Sequence, residues 1–286
     1  MIKKIAYKLL PHDNFSKLRS WYFTSQKKLH RKLSKEQFSN ILTNEMGIKK
    51  GDTLFIHSSM DYLNISFSAM ELLNLLLETV GNEGTLIFPA WHFGYRAESY
   101  LQQDNIFDVR KSPTIMGLLP EMARRHKNAH RSLHPTNSII AIGKNAEALV
   151  SEHHSDIYPC GEKSPYYKMM RYGARIIGLG VTPHFVSFVH CPEDIMKQEF
   201  PANTRTKQVY SAKVRKSDGT LIEVTTLAAH QDITQRNIPL FFRKHIPRAI
   251  FREFKIRGNH FHVADSEQLF RKMVELSGKG ITIYSV

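Results

Sequence analysis

The chain has 286 residues, 42% of them hydrophobic, with only 12 Pro and 15 Gly, which predicts a globular protein with a substantial core and excludes a low-complexity chain. No run approaches the ~20 apolar residues of a membrane span, and the opening MIKKIAYKLLPHDN lacks the apolar length and cleavage site of a signal peptide, so a cytoplasmic protein is expected. The net charge of +14 is lopsided: residues 1–35 hold ten Lys or Arg against Asp13 alone, while the remainder holds thirty bases against twenty-five acids.

In residues 1–33 those bases interleave with apolar and aromatic residues such as Tyr7, Leu10, Phe15, Trp21 and Phe23. This pattern suits a segment lying on an anionic membrane surface, on the inner face, or one that packs Trp21 and Phe23 on the body. Nucleic acid is not expected as a partner, because no recognised nucleic-acid motif accompanies the bases. Residues 1–35 are therefore read as a basic amphipathic segment and 36–286 as the domain proper. Cys160 and Cys191 form no CxxC pair, which agrees with a reducing compartment and buried, unreactive thiols.

Ser34 with Gln37 makes a capping-box pattern, and Phe38, Ile41, Leu42 and Met46 follow at helical spacing up to Gly47. Thr53–His57 reads as a buried strand, 70–80 as an apolar helix closed by Gly81, and Thr85–Phe88 as a second strand, a βαβ unit that implies parallel pairing. A helix over Thr114–His126 follows, with Ile115, Leu118, Leu119 and Met122 on one face. Then come a strand (138–142), helices (145–152 and 166–172), a buried strand (175–181) and a helix somewhere in 185–200. Beyond Pro201 the segments 209–215 and 221–225 flank Asp218-Gly219 as a β-hairpin. Residues 241–254 read as a basic amphipathic segment, 266–276 as a helix and 281–284 as a last strand. The expected fold is α/β: a mixed, largely parallel central sheet flanked by helices, with a smaller antiparallel addition from about residue 200.

Three constellations carry candidate chemistry. In the first, the strand ending at His57 runs into Ser58 and Ser59, and ligands of open α/β sheets bind beyond the carboxyl ends of strands; a capped turn explains the residues as well. In the second, Arg110, Lys111 and the helix start near Ser112 suit an anion, with Arg131, His134 and Ser138 following; an ordinary helix start and loop would read the same. In the third, His190 and Glu193 are three apart and share a helix face, so the carboxylate could orient the imidazole as a general base. Such pairs are also common on surfaces. Pro192 lies between them and removes an N–H, which permits only a helix start nearby.

In combination these stretches resemble the antibiotic N-acetyltransferase family, whose named members are aminoglycoside 3-N-acetyltransferases. The resembling order is GDTLFIHSSM, GTLIFPAW, FDVRKSPTIMGLLPEMARR, RSLHPTNSIIAIGKNAEAL, GEKSP, RIIGLGV and SFVHCPE, over roughly residues 36–210. The resemblance implies direct acetyl transfer from acetyl-coenzyme A to an amine, without an acyl-enzyme and without a metal. It places His57, Ser58 and Ser59 on a turn that meets the coenzyme, and Ser112, Met116 and Gly117 beside the pantetheine arm. Arg131, His134 and Ser138 fall on its Arg-Ser-x-His-Pro-x-x-Ser stretch and are expected among the coenzyme-binding residues, and His190 and Glu193 fall on its catalytic His and Glu. Here Ser187 stands where the family's pattern has Thr, and Cys191-Pro192 is unusual. Backbone N–H groups around Ser58–Ser59 or Ser112 would hold the thioester oxyanion.

Members acting on aminoglycosides are implied to hold that polycation in an acidic cleft, whereas this chain is basic. The leading expectation is therefore an amino-sugar acceptor, nucleotide- or lipid-linked, in surface glycan synthesis. The alternatives are an aminoglycoside 3-N-acetyltransferase of antibiotic resistance, and a non-catalytic peripheral membrane protein on the same fold.

Overall fold

The computed structural model describes residues 29–230, 233 and 236–285, so the lipid-binding expectation for the basic segment falls almost wholly outside the described residues. Ser34 caps α1 (Lys35–Asn40) through the capping box, with Gln37 N–H donating to Ser34 Oγ and Ser34 N–H to Gln37 Oε1, both at 3.2 Å. The helix then loosens into a π-turn (Ile41–Glu45) before Gly47. The βαβ unit follows as β1 (Thr53–Ser58), α2 (Ala69–Val80) and β2 (Thr85–Pro89). A second capping box, Ser68 with Glu71, starts α2.

After α3 (Ala97–Leu101) and the short β3 (Ile106–Asp108), the chain forms α4 (Leu118–Arg124), one turn later than the spacing predicts. Thr114 explains the delay: its N–H donates to Glu121 Oε2 at 3.1 Å and its hydroxyl to Trp91 O at 2.9 Å, which holds 114–117 as a loop. Ile115 and Leu118 are consequently about half exposed rather than on a buried face.

β4 (His130–Arg131), β5 (Ile139–Gly143), α5 (Ala146–Val150), α6 (Pro165–Lys168), β6 (Arg175–Leu179) and α7 (His190–Met196) complete the central region. The hairpin past residue 200 is longer than expected, β7 (Arg205–Arg215) with β8 (Leu221–Ala229). Residues 241–254 are not one amphipathic segment: α8 (Ile238–His245) ends before Pro247, and β9 (Phe251–Ile256) turns back into β10 (Asn259–Asp265). The last helix is α9 (Ser266–Ser277), and the strand expected over 281–284 is a turn.

Seven strands form the main sheet in the order β4-β5-β2-β1-β6-β10-β9. The sheet is mixed, but parallel pairing is confined to β2-β1-β6; β5 and β10 pair antiparallel on either side. A second sheet, β3-β7-β8, joins the hairpin antiparallel and β3 parallel, so it too is mixed. Because β9 and β10 return to the main sheet, residues beyond 200 are not all in the smaller addition.

Strand alternation divides the core into two layers. Leu54, Ile56, Leu86, Phe88, Ile177, Leu179 and Phe261 face α1, α2 and α4 on one side. Phe55, Ile87, Ile176 and Ala264 face α5 to α9 on the other. In α2, Leu72, Leu73 and Leu76 are fully buried, each contributing about 1.5–3 kcal/mol. His57 shares the face of Phe55, toward α7, whereas Ser58 points to the opposite layer, toward α4. The carboxyl ends of β1 and β6 meet where Ser59 N–H donates to Leu179 O at 3.1 Å. No helix among the described residues is long and apolar enough to cross a membrane.

Candidate active site

The loop after β6 passes through two single-turn helices and enters α7 at His190. Pro192 therefore falls in the first turn, where its missing N–H has no intrahelical partner to lose. The His190–Glu193 geometry survives: Nδ1 lies 3.0 Å from each Glu193 carboxylate oxygen. With Nδ1–H donated to the carboxylate, Nε2 carries the lone pair, the arrangement a general base requires.

Glu193 is buried, and its side chain is only 1% exposed. Burial alone would push its carboxyl up, but His190, Arg205 and the Tyr284 hydroxyl together hold it below the ordinary carboxylate range. Tyr284 Oη donates to Glu193 Oε1 at 2.7 Å. Next along the helix, Asp194 accepts two bonds from Arg205, at 2.6 and 2.7 Å, and one from Cys160 N–H at 2.7 Å. Burial opposes the Arg205 charge, but Asp194 more than offsets it and the guanidinium stays firmly protonated. Arg236 donates through Nη1 to His190 Nε2 at 3.0 Å.

His57 closes against this region. Its Nε2 accepts from Ser187 N–H at 3.2 Å and lies 3.0 Å from Ser187 Oγ, fixing the turn before α7 to the end of β1. Burial, with His262 nearby, depresses its pKa to about 3, so the ring is neutral. It is 4% exposed and serves this internal link rather than offering itself to a ligand. Ser58, Ser59, Ser112 and Met116 are half-buried and Gly117 is exposed, although the Ser58 hydroxyl itself is buried. Ser58 and Gly117 come together: a Cβ on Gly117 would stand 3.7 Å from Ser58 O, and its φ of 109° favours glycine.

The Arg131 stretch has a different place from the one the resemblance implies. Arg131 donates to Ser112 O at 2.5 Å and Ala90 O at 2.6 Å, and its guanidinium lies over the Phe107 ring. It is a strut between β2, the Ser112 loop and the smaller sheet. Ser138 is buried and donates to Ala90 O at 2.7 Å. His134 is fully buried: Nδ1 accepts from Asn137 N–H at 3.1 Å and Nε2 faces Thr226 Oγ1 at 3.2 Å. Neither Ser138 nor His134 presents an atom to a coenzyme here. The backbone donors expected for the oxyanion are also engaged, Ser59 N–H by Leu179 O and Ser112 N–H by Asp108 O. Ser58 Oγ is buried and has no hydrogen-bond partner among the described residues, which leaves it as a free donor.

Spacing could not reveal Tyr284, Arg205 or Arg236, which arrive from elements far along the chain. Asp194 had a weak signal, a second acid directly after Glu193 in a helix start. Among the described residues no cluster of three His, Cys, Asp or Glu could hold a metal ion.

The fold is a three-layer α/β sandwich that sets a carboxylate–imidazole pair on the helix following its last parallel strand, a candidate acid–base site. Residues 55–277 match the family described as aminoglycoside 3-N-acetyltransferase, and the chain belongs to that family. It is 27% identical over 176 residues to aminoglycoside N(3)-acetyltransferase IX of Micromonospora chalcea, covering 54% of this chain and 61% of that one. Against aminoglycoside N(3)-acetyltransferase III of Serratia marcescens it is 26% identical, covering 61% and 68%. The chain thus spans about three fifths of the length of the first of these relatives. The crystal structure of aminoglycoside acetyltransferase AAC(3)-Xa superposes with a TM-score of 0.75 at 21% identity, over 93% of this chain and 99% of that one. AAC-IIIb in its binary complex with CoASH gives 0.69 at 19% identity, over 89% and 99%. At these identities the structures establish a shared fold.

Proposed function

We propose that the chain transfers an acetyl group from acetyl-coenzyme A to the amine of an amino sugar, with His190 as general base and Glu193 as the group that orients it. The observation that carries this reading is the His190 imidazole with Nδ1 held by a buried carboxylate and Nε2 turned away from it. An amine attacks a thioester only when neutral. His190 Nε2 takes its proton as the C–N bond forms. The tetrahedral intermediate collapses with breakage of the C–S bond, the leaving thiolate taking the proton back from the His190 imidazolium to depart as coenzyme A thiol. Ser59, Ser112, Met116 and Gly117 line the approach of the coenzyme. That a relative was obtained with CoASH supports the donor.

For the acceptor, the relatives' names favour aminoglycosides over the surface-glycan sugar expected from composition. A relative, AAC-VIa, was obtained bound to sisomicin. A second reading, an amino sugar carrying negative charge, is favoured by one observation, the Arg236 guanidinium on the base. Thiol release from acetyl-coenzyme A in the presence of each acceptor class tests both readings. His190→Ala should lower turnover by about 10²–10⁴ while acetyl-coenzyme A still binds. Unchanged turnover sinks the assignment, and absence of thiol release with any amine leaves the non-catalytic alternative.

A further inference from the structure

The two acceptor readings differ in what must sit beside His190, and Arg236 stands at that position. The atom that takes the amine's proton, His190 Nε2, already accepts a hydrogen bond from Arg236 Nη1 at 3.0 Å. While that bond stands, the lone pair is occupied and the base cannot act. Some feature of the bound acceptor has to draw the guanidinium aside.

The charges around the base say what that feature is. Asp194 is committed to Arg205 and Cys160 N–H, and Glu193 to His190 and Tyr284. Arg236 itself is exposed, and among the described residues no carboxylate forms an ion pair with it. An acceptor therefore meets a guanidinium at the reacting position, with the Glu193 carboxylate on the far side of the His190 ring. A second ammonium close to the reacting amine is repelled, whereas an anion is attracted. Guanidinium presents paired N–H donors that match phosphate or carboxylate in a two-bond fork.

We propose that Arg236 is an acceptor-specificity residue: it binds an anionic group, phosphate or carboxylate, close to the reacting amine, and in doing so frees His190 Nε2. This rests on the acetyl-transfer reading above and deepens it. The acceptor class is an anionic amino sugar, either a sugar phosphate or an amino-uronic acid. The polycationic aminoglycosides become the poorer acceptors.

Two measurements on the full chain test it. In the first, amino sugars are compared as phosphate ester, uronic acid and neutral methyl glycoside, alongside sisomicin, in the thiol-release assay. A charge-assisted hydrogen bond is worth about 1.5–3 kcal/mol, or roughly 10–100-fold in kcat/KM. The wild type should prefer one anionic form over the glycoside by that factor, and which form wins separates the phosphate source from the carboxylate source. Arg236→Gln should collapse the ratio, and Arg236→Lys should retain part of it. A purely structural residue would lower all acceptors together and leave the ratio alone. Faster turnover of sisomicin than of either anionic sugar overturns the proposal.

In the second, inorganic pyrophosphate is titrated while the ¹⁵N resonance of His190 Nε2 is followed. A shift in the wild type that is absent in Arg236→Gln is expected as Arg236 leaves the ring. The same response in both proteins, or in neither, overturns the proposal whatever the acceptor. The expected shift without acetyl transfer to any amine would keep the anion site and defeat the acetyl-transfer reading.

Discussion

Tyr284 Oη and Glu193 Oε1 are joined by a 2.7 Å hydrogen bond between residues 91 positions apart. A buried carboxylate needs donors on its lone pairs, and Tyr284 supplies one from outside α7. Tyr284→Phe is expected to reduce kcat by about tenfold, the worth of roughly 1.4 kcal/mol, with KM for acetyl-coenzyme A unmoved. Glu193→Gln should cost more, about 10²–10⁴, because an amide can hold His190 in the wrong tautomer. Steady-state kinetics of the two variants decide it: equal losses would mean that Tyr284 and the charge of Glu193 do the same work.

The Asp194–Arg205 pair predicts an asymmetry in stability. Asp194 is 0% exposed in its side chain and Arg205 12%. Removing one partner strands the other, at about 3–5 kcal/mol. Asp194→Leu with Arg205→Met together should cost less than either change alone. Urea unfolding of the three variants tests this, and additive losses would refute it.

Acid should destabilise the protein through its buried histidines. Burial depresses His57 and His153 to about 3 and His92 and His262 to about 4, and pushes His134 well below its ordinary value. Unfolded, each takes up a proton near pH 6.5, so below that pH the unfolded chain binds more protons and stability falls as pH drops. Each group contributes a slope of about 1.4 kcal/mol per pH unit until its folded pKa is reached. Unfolding measured from pH 7 to 4 should show this decline, and His262→Phe should make it shallower. A stability independent of pH over that range would contradict these neutral, buried rings.

Gly178 is the tightest point of the sheet. It stands opposite His57 on one side and His262 on the other, and a Cβ there would come within 2.0 Å of His262 Cε1. Gly178→Ala is expected to cost about 1–3 kcal/mol by overpacking. Adding His262→Ala should recover part of that loss in thermal unfolding; no recovery would place the strain elsewhere.

For the basic N-terminal segment, the body sets where a truncation can stop. Leu33 is 1% exposed and pairs with Ile65, so it belongs to the core. Deleting residues 1–28 should leave folding intact and reduce binding to anionic vesicles, with the remaining difference screened by salt. Equal vesicle binding by both forms would remove the membrane reading.

Where local chemistry decides structure, the sequence was legible. The Ser34 capping box, the βαβ unit from Thr53 and the Asp-Gly hairpin are all set by neighbours in the chain. The first turn before α4 was misread because Thr114 bonds to Trp91 O, a contact no periodicity reports. The β9–β10 hairpin was hidden because basic residues on an edge strand imitate an amphipathic helix. At the site, His190 and Glu193 were visible as a spaced pair. Arg236, Arg205 and Tyr284 were not, since only the tertiary fold brings them to that pair. Family likeness marked His134 as a ligand contact, whereas its complete burial makes it a hydrogen-bonding post inside the molecule.

Arg205 opens β7 while its guanidinium is locked to Asp194 on α7. The hairpin of the smaller sheet is thereby pinned to α7 at its first residue. Chain length can be added at the far end of that hairpin, around Asp218, without being felt at the imidazole. An insertion near Arg205 would be transmitted to it at once. Diversification of this scaffold toward new acceptors is thus confined to the hairpin tip and to exposed side chains such as Arg236, with the frame beneath them held constant.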